Sequence, residues 1–268
     1  MTQELVSDFD QFKVAVATQA RSYFSTYRFW AMLGLVLAIG GGITIYLAFH
    51  RGAFGHAGFA TSPAYLGSIL GFISFLAIVV GAFFGGDAIS TDFGTKTGYY
   101  ILAQPVKRSV LLSGRYAAAL LVSGGIVALF YVIALIGGVG FFSFGAVPWG
   151  NVGESFLLAM LVTAGVLSFA FCLSAVSRSP VIGLVVTIIV LLVGLNIVDS
   201  VLGSFAGPGV LWYSILYAAR TVSTTVAPAV TGVAATAAPP LWQAAAISAV
   251  YAVGFYIVAH VLYYREET

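Results

Sequence analysis

Asp92, Gly94, Thr95, Pro105, Lys107, Arg108, Leu111, Leu112 and Arg115 share one short stretch of a chain that is otherwise nearly free of charge. The chemistry these types and spacings suit is docking, not bond making. The stretch runs from Asp87 to Arg115 and carries six charges, Asp87, Asp92, Lys96, Lys107, Arg108 and Arg115, which excludes it from hydrocarbon at roughly 2.5 to 3.5 kcal/mol per mid-membrane charge. Gly94, Thr95, Thr97 and Gly98 form a polar lead-in, Ile101-Leu102 an apolar turn, and Pro105 opens a segment of helical spacing. Proline fits a first helical turn because its missing N–H would be unpaired there anyway. In that segment Arg108, Leu111, Leu112 and Arg115 fall at i, i+3, i+4 and i+7. Such a face, apolar in the middle and basic at both ends, suits an acidic-rimmed protein groove or a lipid headgroup layer. Gly94-Thr95-Lys96-Thr97 is no phosphate-binding loop, since the Gly-Lys-Thr order is broken and neither the upstream glycine nor a strand precedes it. The chain is not expected to hydrolyse ATP alone.

A second group of polar residues sits beside apolar blocks. Asn196 and Asp199 are one helical turn apart, Glu154 precedes another block, and Arg220 lies in the longest connection that follows. Polar groups beside spans often face a cavity or a partner, so these four are candidates for the outer mouth of a pathway or gate. His50 and His56 lie beyond the first block and His260 near the end of the last, so no two histidines share one depth as haem ligands would. Cys172 is the single cysteine, which rules out an internal disulfide and a cysteine metal cluster. No cofactor is expected in this chain.

The elements that must position these residues follow from composition. Of 268 residues 60% are hydrophobic and 7% charged, a surface that water cannot solvate. The formal charge of +2 leaves no basic stripe for a nucleic-acid backbone, so nucleic acid is not expected as a partner. Six blocks have the roughly 20 apolar residues of a transmembrane helix, at about 30–49, 64–86, 117–138, 155–176, 181–202 and 241–263, and none contains Lys or Arg. The fold expected is all-α and integral to the membrane, one transmembrane domain over residues 1–268. Lys13, Arg21, Arg28, Lys96, Lys107, Arg108, Arg115, Arg178 and Arg265 fall on one side and only Arg51 and Arg220 on the other. Short cytoplasmic segments carry the basic excess, so both termini are expected in the cytoplasm, 87–115 as a cytoplasmic loop and 203–240 as an outer connection. Residues 1–28 lack the apolar core and cleavage site of a secretory signal, so the first span is expected to be retained. There Leu5, Phe9, Phe12, Val16 and Tyr23 form one helical stripe, with Ser7 and Asp10 placed as a capping box. This predicts an amphipathic helix at the cytoplasmic membrane surface, with lipid as its partner. Gly67, Gly71, Ser74, Gly81 and Gly85 put small residues on one face of the second span, which permits close helix contact. In 203–240, Leu211, Ile215, Ala218 and Val222 follow Pro208 at helical spacing.

The loop resembles a known family, the type-2 permeases of ATP-binding-cassette (ABC) exporters, which carry polysaccharides, drugs or lipids or serve copper-enzyme maturation. Their hallmark between spans two and three is an acidic residue before Gly-Thr, a Leu-rich turn, then Pro-Val-x-Arg and Gly-Lys. This chain has Asp92, Gly94-Thr95, Ile101-Leu102, Pro105-Val106-Lys107-Arg108 and Gly114-Arg115 in that order. Asp92 replaces the usual Glu and Arg115 the usual Lys, and both keep the sign of charge. The resemblance implies a permease subunit in the cell (plasma) membrane that forms the translocation pathway. It also implies a second copy of this chain or a similar permease, and a soluble ABC ATPase subunit in two copies that holds ATP and magnesium. Pro105, Lys107, Arg108, Leu111, Leu112 and Arg115 would then form the coupling helix to that ATPase, with Asp92, Gly94 and Thr95 as family motif.

Two other classes compete. An ion-coupled secondary transporter would need broken helices and mid-membrane charges on inverted repeats, and the sequence displays neither. A membrane-embedded redox protein would need ligands at one depth. The basic asymmetry makes the topology testable. In a Cys172→Ala background, Ser109→Cys and Thr268→Cys should resist an impermeant thiol reagent in intact cells while Gly55→Cys reacts. Labelling of Ser109→Cys from outside would reverse the orientation.

Overall fold

An unpaired peptide N–H or C=O costs several kcal/mol in hydrocarbon, so an apolar block of this length has one local solution, the α-helix. The computed structural model describes residues 7–50, 61–91, 107–177, 179–227 and 238–265, and these form helices and turns with no strand among them. Six helices there are long and apolar enough to cross a membrane: Tyr27–Phe49, Ser62–Gly85, Ser109–Phe142, Trp149–Val176, Pro180–Phe205 and Leu241–Tyr264. The chain is a multi-pass, all-helical membrane protein.

The third span departs most from its expected bounds. Its helix runs unbroken from Arg108 to Phe142, 35 residues, or roughly 50 Å at 1.5 Å per residue, well beyond a hydrocarbon core of about 30 Å. The separate helix expected over 105–115 is therefore not separate; from Arg108 onward it is the first two turns of this span. No proline interrupts it, and its one internal glycine near that end, Gly114, is where another helix comes closest. A Cβ on Gly114 would lie 2.7 Å from Ala15 Cβ, on the N-terminal helix Asp8–Ser25. Packing there outweighs the roughly 1 kcal/mol that glycine costs in a helix. The N-terminal helix begins as expected, Ser7 Oγ accepting from the Asp10 amide at 3.2 Å. Along its stripe Tyr23 is buried, Phe12 and Val16 are half-buried and Phe9 is exposed, while Leu5 lies outside the described residues.

The fourth span is the centre of the bundle, packed against the second, third, fifth and sixth spans and against a short helix, Ile215–Val226. The first span sits at the edge, on the second and third. The small-residue face of the second span is used for packing inside the chain. A Cβ on Gly81 would lie 2.6 Å from Val166 Cγ1 and one on Gly85 2.9 Å from Ala170 Cβ, both on the fourth span, and Gly67 lies against Ala227. The face is interrupted at Gly71–Phe72, where the span divides into Ser62–Leu70 and Ile73–Gly85, and Gly71 is exposed.

After the fifth span Gly207 takes φ +78°, a left-handed conformation that only glycine adopts without strain, and turns the chain into the tight 3₁₀ helix Pro208–Tyr213. Ser214 then caps the helix Ile215–Val226. With 12 residues, about 18 Å, it is too short to span. Leu211, Ile215, Ala218 and Val222 are all buried, so the helical spacing legible in the sequence is the docked stripe.

Because Gly81 meets Val166 so closely, Gly81→Leu should lower the stability of the purified protein by about 1 to 3 kcal/mol through overpacking. Gly125→Leu, where an added Cβ meets nothing within 4 Å, should leave the thermal midpoint unchanged.

Candidate functional site

The short segment that follows the second span, residues 86–91, is where the most elements meet. The carboxylate of Asp87, which is buried, forms an ion pair with the Arg28 guanidinium at the base of the first span. Tyr23 of the N-terminal helix donates its hydroxyl to the Phe84 carbonyl at 3.0 Å and sets its ring edge-on to Phe84, centroids 5.2 Å apart. Arg115 Nη1 donates to the Ala88 carbonyl at 3.2 Å. Ser174 Oγ, near the end of the fourth span, accepts from the amides of Ile89 and Ser90 at 3.0 and 3.1 Å. Gly86 touches Gly183 of the fifth span backbone to backbone. Arg28, Arg115 and Ser174 thus hold this turn through polar groups that hydrocarbon could not satisfy, Gly183 packs on it, and Tyr23 holds the helix end just before it.

Burial pushes the Tyr23 hydroxyl well above the ordinary tyrosine range, the Gln19 hydrogen bond opposing it and the charge of Asp87 adding to it. Tyr23 therefore stays protonated and keeps its donor role through the physiological range.

This turn leads directly into the loop that carries the sequence motif. Asp92, Gly94, Thr95 and Pro105 lie outside the described residues, as does the side chain of Arg108. At the far end of the loop Lys107 Nζ lies 2.6 Å from Asp8 Oδ2, with both side chains largely exposed. Leu111 is half-buried. The expected open face does not form, because Leu112 (1% exposed) and Arg115 (8%) are turned into the chain's own interior. The physical reason is that the N-terminal helix packs on this end of the third span at Gly114 and Arg115 is drawn to the Ala88 carbonyl of the 86–91 turn. Sequence spacing located Arg115 and put Tyr23 on the N-terminal stripe, but did not pair Arg28 with Asp87 or Tyr23 with Phe84, and missed Ser174. The only signal for these contacts was polarity at the ends of apolar blocks.

At the opposite end of the bundle Asp199 is buried (2% exposed) and accepts from Ser214 Oγ at 2.6 Å and the Tyr213 hydroxyl at 3.1 Å. Tyr251 of the sixth span donates to the Tyr213 carbonyl at 2.8 Å. The four residues expected as one polar patch are not brought together. Asn196 is exposed on the fifth span, its amide donating to Leu192 O at 2.7 Å. Glu154 is exposed, Arg220 is half-buried, and no ion pair joins them among the described residues. Asn196, Ser200 and Ser204 are all exposed, a polar row at i, i+4 and i+8 along a face otherwise made of Val193, Ile197 and Val201. Among the described residues no three of His, Cys, Asp and Glu converge as metal ligands.

A six-span bundle with an ionic knot at one end and a hydroxyl-capped carboxylate at the other defines a polytopic membrane protein whose polar groups are gathered at its two faces. Residues 40–267 match the family described as protein of unknown function (DUF2705), and the chain belongs to that family. No curated protein matches the chain.

Magnitudes separate the two ion pairs. The exposed Asp8–Lys107 pair should contribute at most about 1 kcal/mol, so Lys107→Ala should barely alter stability. Arg28→Ala strands a mostly buried carboxylate and should cost about 1 to 3 kcal/mol, with Arg28→Met combined with Asp87→Leu recovering much of the loss. Thermal unfolding of the purified variants measures both.

Proposed function

We propose that this chain is the membrane-spanning permease subunit of an ATP-driven exporter of the type-2 ABC class, working as two copies with two soluble ATPase subunits. The observation that carries this reading is that both ends of the motif loop are anchored, the first by the knot at 86–91 and the second by the helix that opens at Arg108. A force from the loop enters the described chain at residue 91, held by that knot to the first, third and fourth spans, and at Lys107, at the head of the third span beside the N-terminal helix. Transmission from an ATPase needs that stiffness, and a loop merely connecting two spans does not.

In this reading the loop and both termini face the cytoplasm of a cell with the chain in its plasma membrane. The N-terminal helix lies at the membrane surface with Phe9, Phe24, Lys13 and Arg21 exposed, a mix of aromatic and basic groups suited to the headgroup layer. The coupling surface is the loop with Lys107 and Leu111, while Leu112 and Arg115 hold that surface to the bundle from inside. The polar row Asn196, Ser200 and Ser204 supports a translocation path or a second copy along the fifth span, since polar groups facing lipid alone are costly. A secondary transporter is favoured by the break at Gly71–Phe72 and the buried carboxylate of Asp199, but no charged residue lies at the break and hydroxyls of the same chain already take both carboxylate oxygens.

The test pairs the chain with a soluble ATPase that carries a complete phosphate-binding loop, sought in the adjacent reading frames. The purified chain alone should turn over no ATP. Exchanging the exposed pair, Asp8→Lys with Lys107→Glu, keeps an internal ion pair but reverses the charge shown to a partner. Added to Leu111→Ala, it should cost roughly 1 to 3 kcal/mol of docking, read as lost co-purification and lost substrate-stimulated turnover. Unchanged association and turnover would reject this surface as the coupling element.

A further inference from the structure

Away from both polar clusters, a groove of about 550 Å³ opens on the outer side of the first span, lined by Ala38, Ile39, Gly42, Ile43, Tyr46, Leu47 and Phe72. Two irregularities create it. The first span widens into a π-helical segment at Leu37–Gly41, and the second breaks at Gly71–Phe72, which leaves Phe72 as the opposite lip. Along the first span Ala38, Gly42 and Tyr46 recur every four residues beside a second row, Ile39, Ile43 and Leu47. Leu47 is 1% exposed and forms the floor, while an added Cβ on Gly42 would meet nothing within 4 Å. The trough exists because small residues stand at mid-depth where neighbouring rows carry branched ones.

We propose that this groove is a specific site for one acyl chain of a bilayer phospholipid in the leaflet remote from the N-terminal helix. Its lining lies within the two spans Tyr27–Phe49 and Ser62–Gly85, at a depth where the surrounding solvent is hydrocarbon. Polarity then selects an amphiphile. The trough is apolar along its length, and at its outer end the row terminates in the Tyr46 phenol stacked on the His50 imidazole, centroids 4.4 Å apart and planes 19° apart. His50 Nδ1 lies 3.0 Å from the Tyr46 carbonyl, which fixes the ring at the level where a headgroup would sit. Amphipathic rings with a polar edge favour that level. The volume falls within the range of sites that hold a ligand of this size. This inference stands apart from the transport reading, because nothing in it requires an ATPase.

The test places the full chain in nanodiscs of phosphatidylethanolamine and phosphatidylglycerol with a small fraction of phospholipid bearing a mid-chain diazirine, then maps adducts by mass spectrometry after irradiation. Adducts should concentrate severalfold on residues 38–47 and Phe72 over other lipid-facing positions. Gly42→Leu fills open space at the residue that closes the π segment and should remove that excess, with Gly42→Ala, the gentler change, reducing it in part. Gly254→Leu, equally open but on the sixth span, should leave it intact. Even labelling of all lipid-facing residues, or an excess that survives Gly42→Leu, would overturn the site. So would disulfide trapping between two copies through Ala38→Cys or Tyr46→Cys in the Cys172→Ala background, which would assign the groove to a second copy of this chain.

Discussion

Hydrocarbon accepts and donates no hydrogen bond, and every feature of this protein follows from where that rule is met and where it is avoided. Inside the bundle hydroxyls turn back on their own helices: Thr163 donates to Ala159 O and Thr187 to Gly183 O, each at 2.7 Å. Others reach across, Ser155 to Val222 O and Ser168 to Ala252 O, each at 2.8 Å. With no hydrophobic drive between helices in lipid, such bonds and close small-residue contacts hold spans together, at roughly 0.6 kcal/mol per bond on average. The fourth span carries Ser155, Ser168 and Ser174, each bonded to another element, which is why it is the hub.

Charges obey the same rule by withdrawing to the faces. At one face Arg28, Asp87 and Arg115 are spent on the chain's own turn, so a segment that looks like a free loop base in the sequence is a rigid joint. At the other, Asp199 fastens the 3₁₀ turn to the fifth span, and Tyr251 fastens that turn to the sixth. The second and fourth spans lie between these joints, since the helix Ile215–Val226 that follows the 3₁₀ turn packs on both.

Helical regularity is unevenly distributed. The third, fourth and sixth spans are continuous, whereas the first and fifth contain π-helical segments at Leu37–Gly41 and Ile189–Gly194 and the second is broken at Gly71–Phe72. A π segment loosens the hydrogen-bond ladder and often marks functional positions. Thr44 compensates in the first span by donating to Gly40 O at 2.7 Å, and its hydroxyl lies 3.0 Å from that of Tyr65. The first and fifth spans are also mostly exposed, but so is the continuous sixth, and the broken second is the most buried of the six, so irregularity does not track exposure.

The six spans, the cap at Ser7 and Asp10 and the docked stripe Leu211, Ile215, Ala218 and Val222 were legible in the sequence because each is decided locally. Transfer from water to lipid sums over a window of neighbours, and helical periodicity places residues a few positions apart on one face. The small residues of the second span were legible as a contact face for the same reason, though not the break at Gly71 that divides it. What the sequence left open was the identity of partners. Leu112 and Arg115 have the spacing of an exposed face, yet the N-terminal helix and the turn at 86–91 cover them. Arg28 and Asp87 are 59 residues apart, and Asn196 and Asp199, one turn apart, end on exposed and buried sides of one helix. These outcomes depend on how rigid helices are rotated and offset against each other, a long-range packing choice that no local window contains.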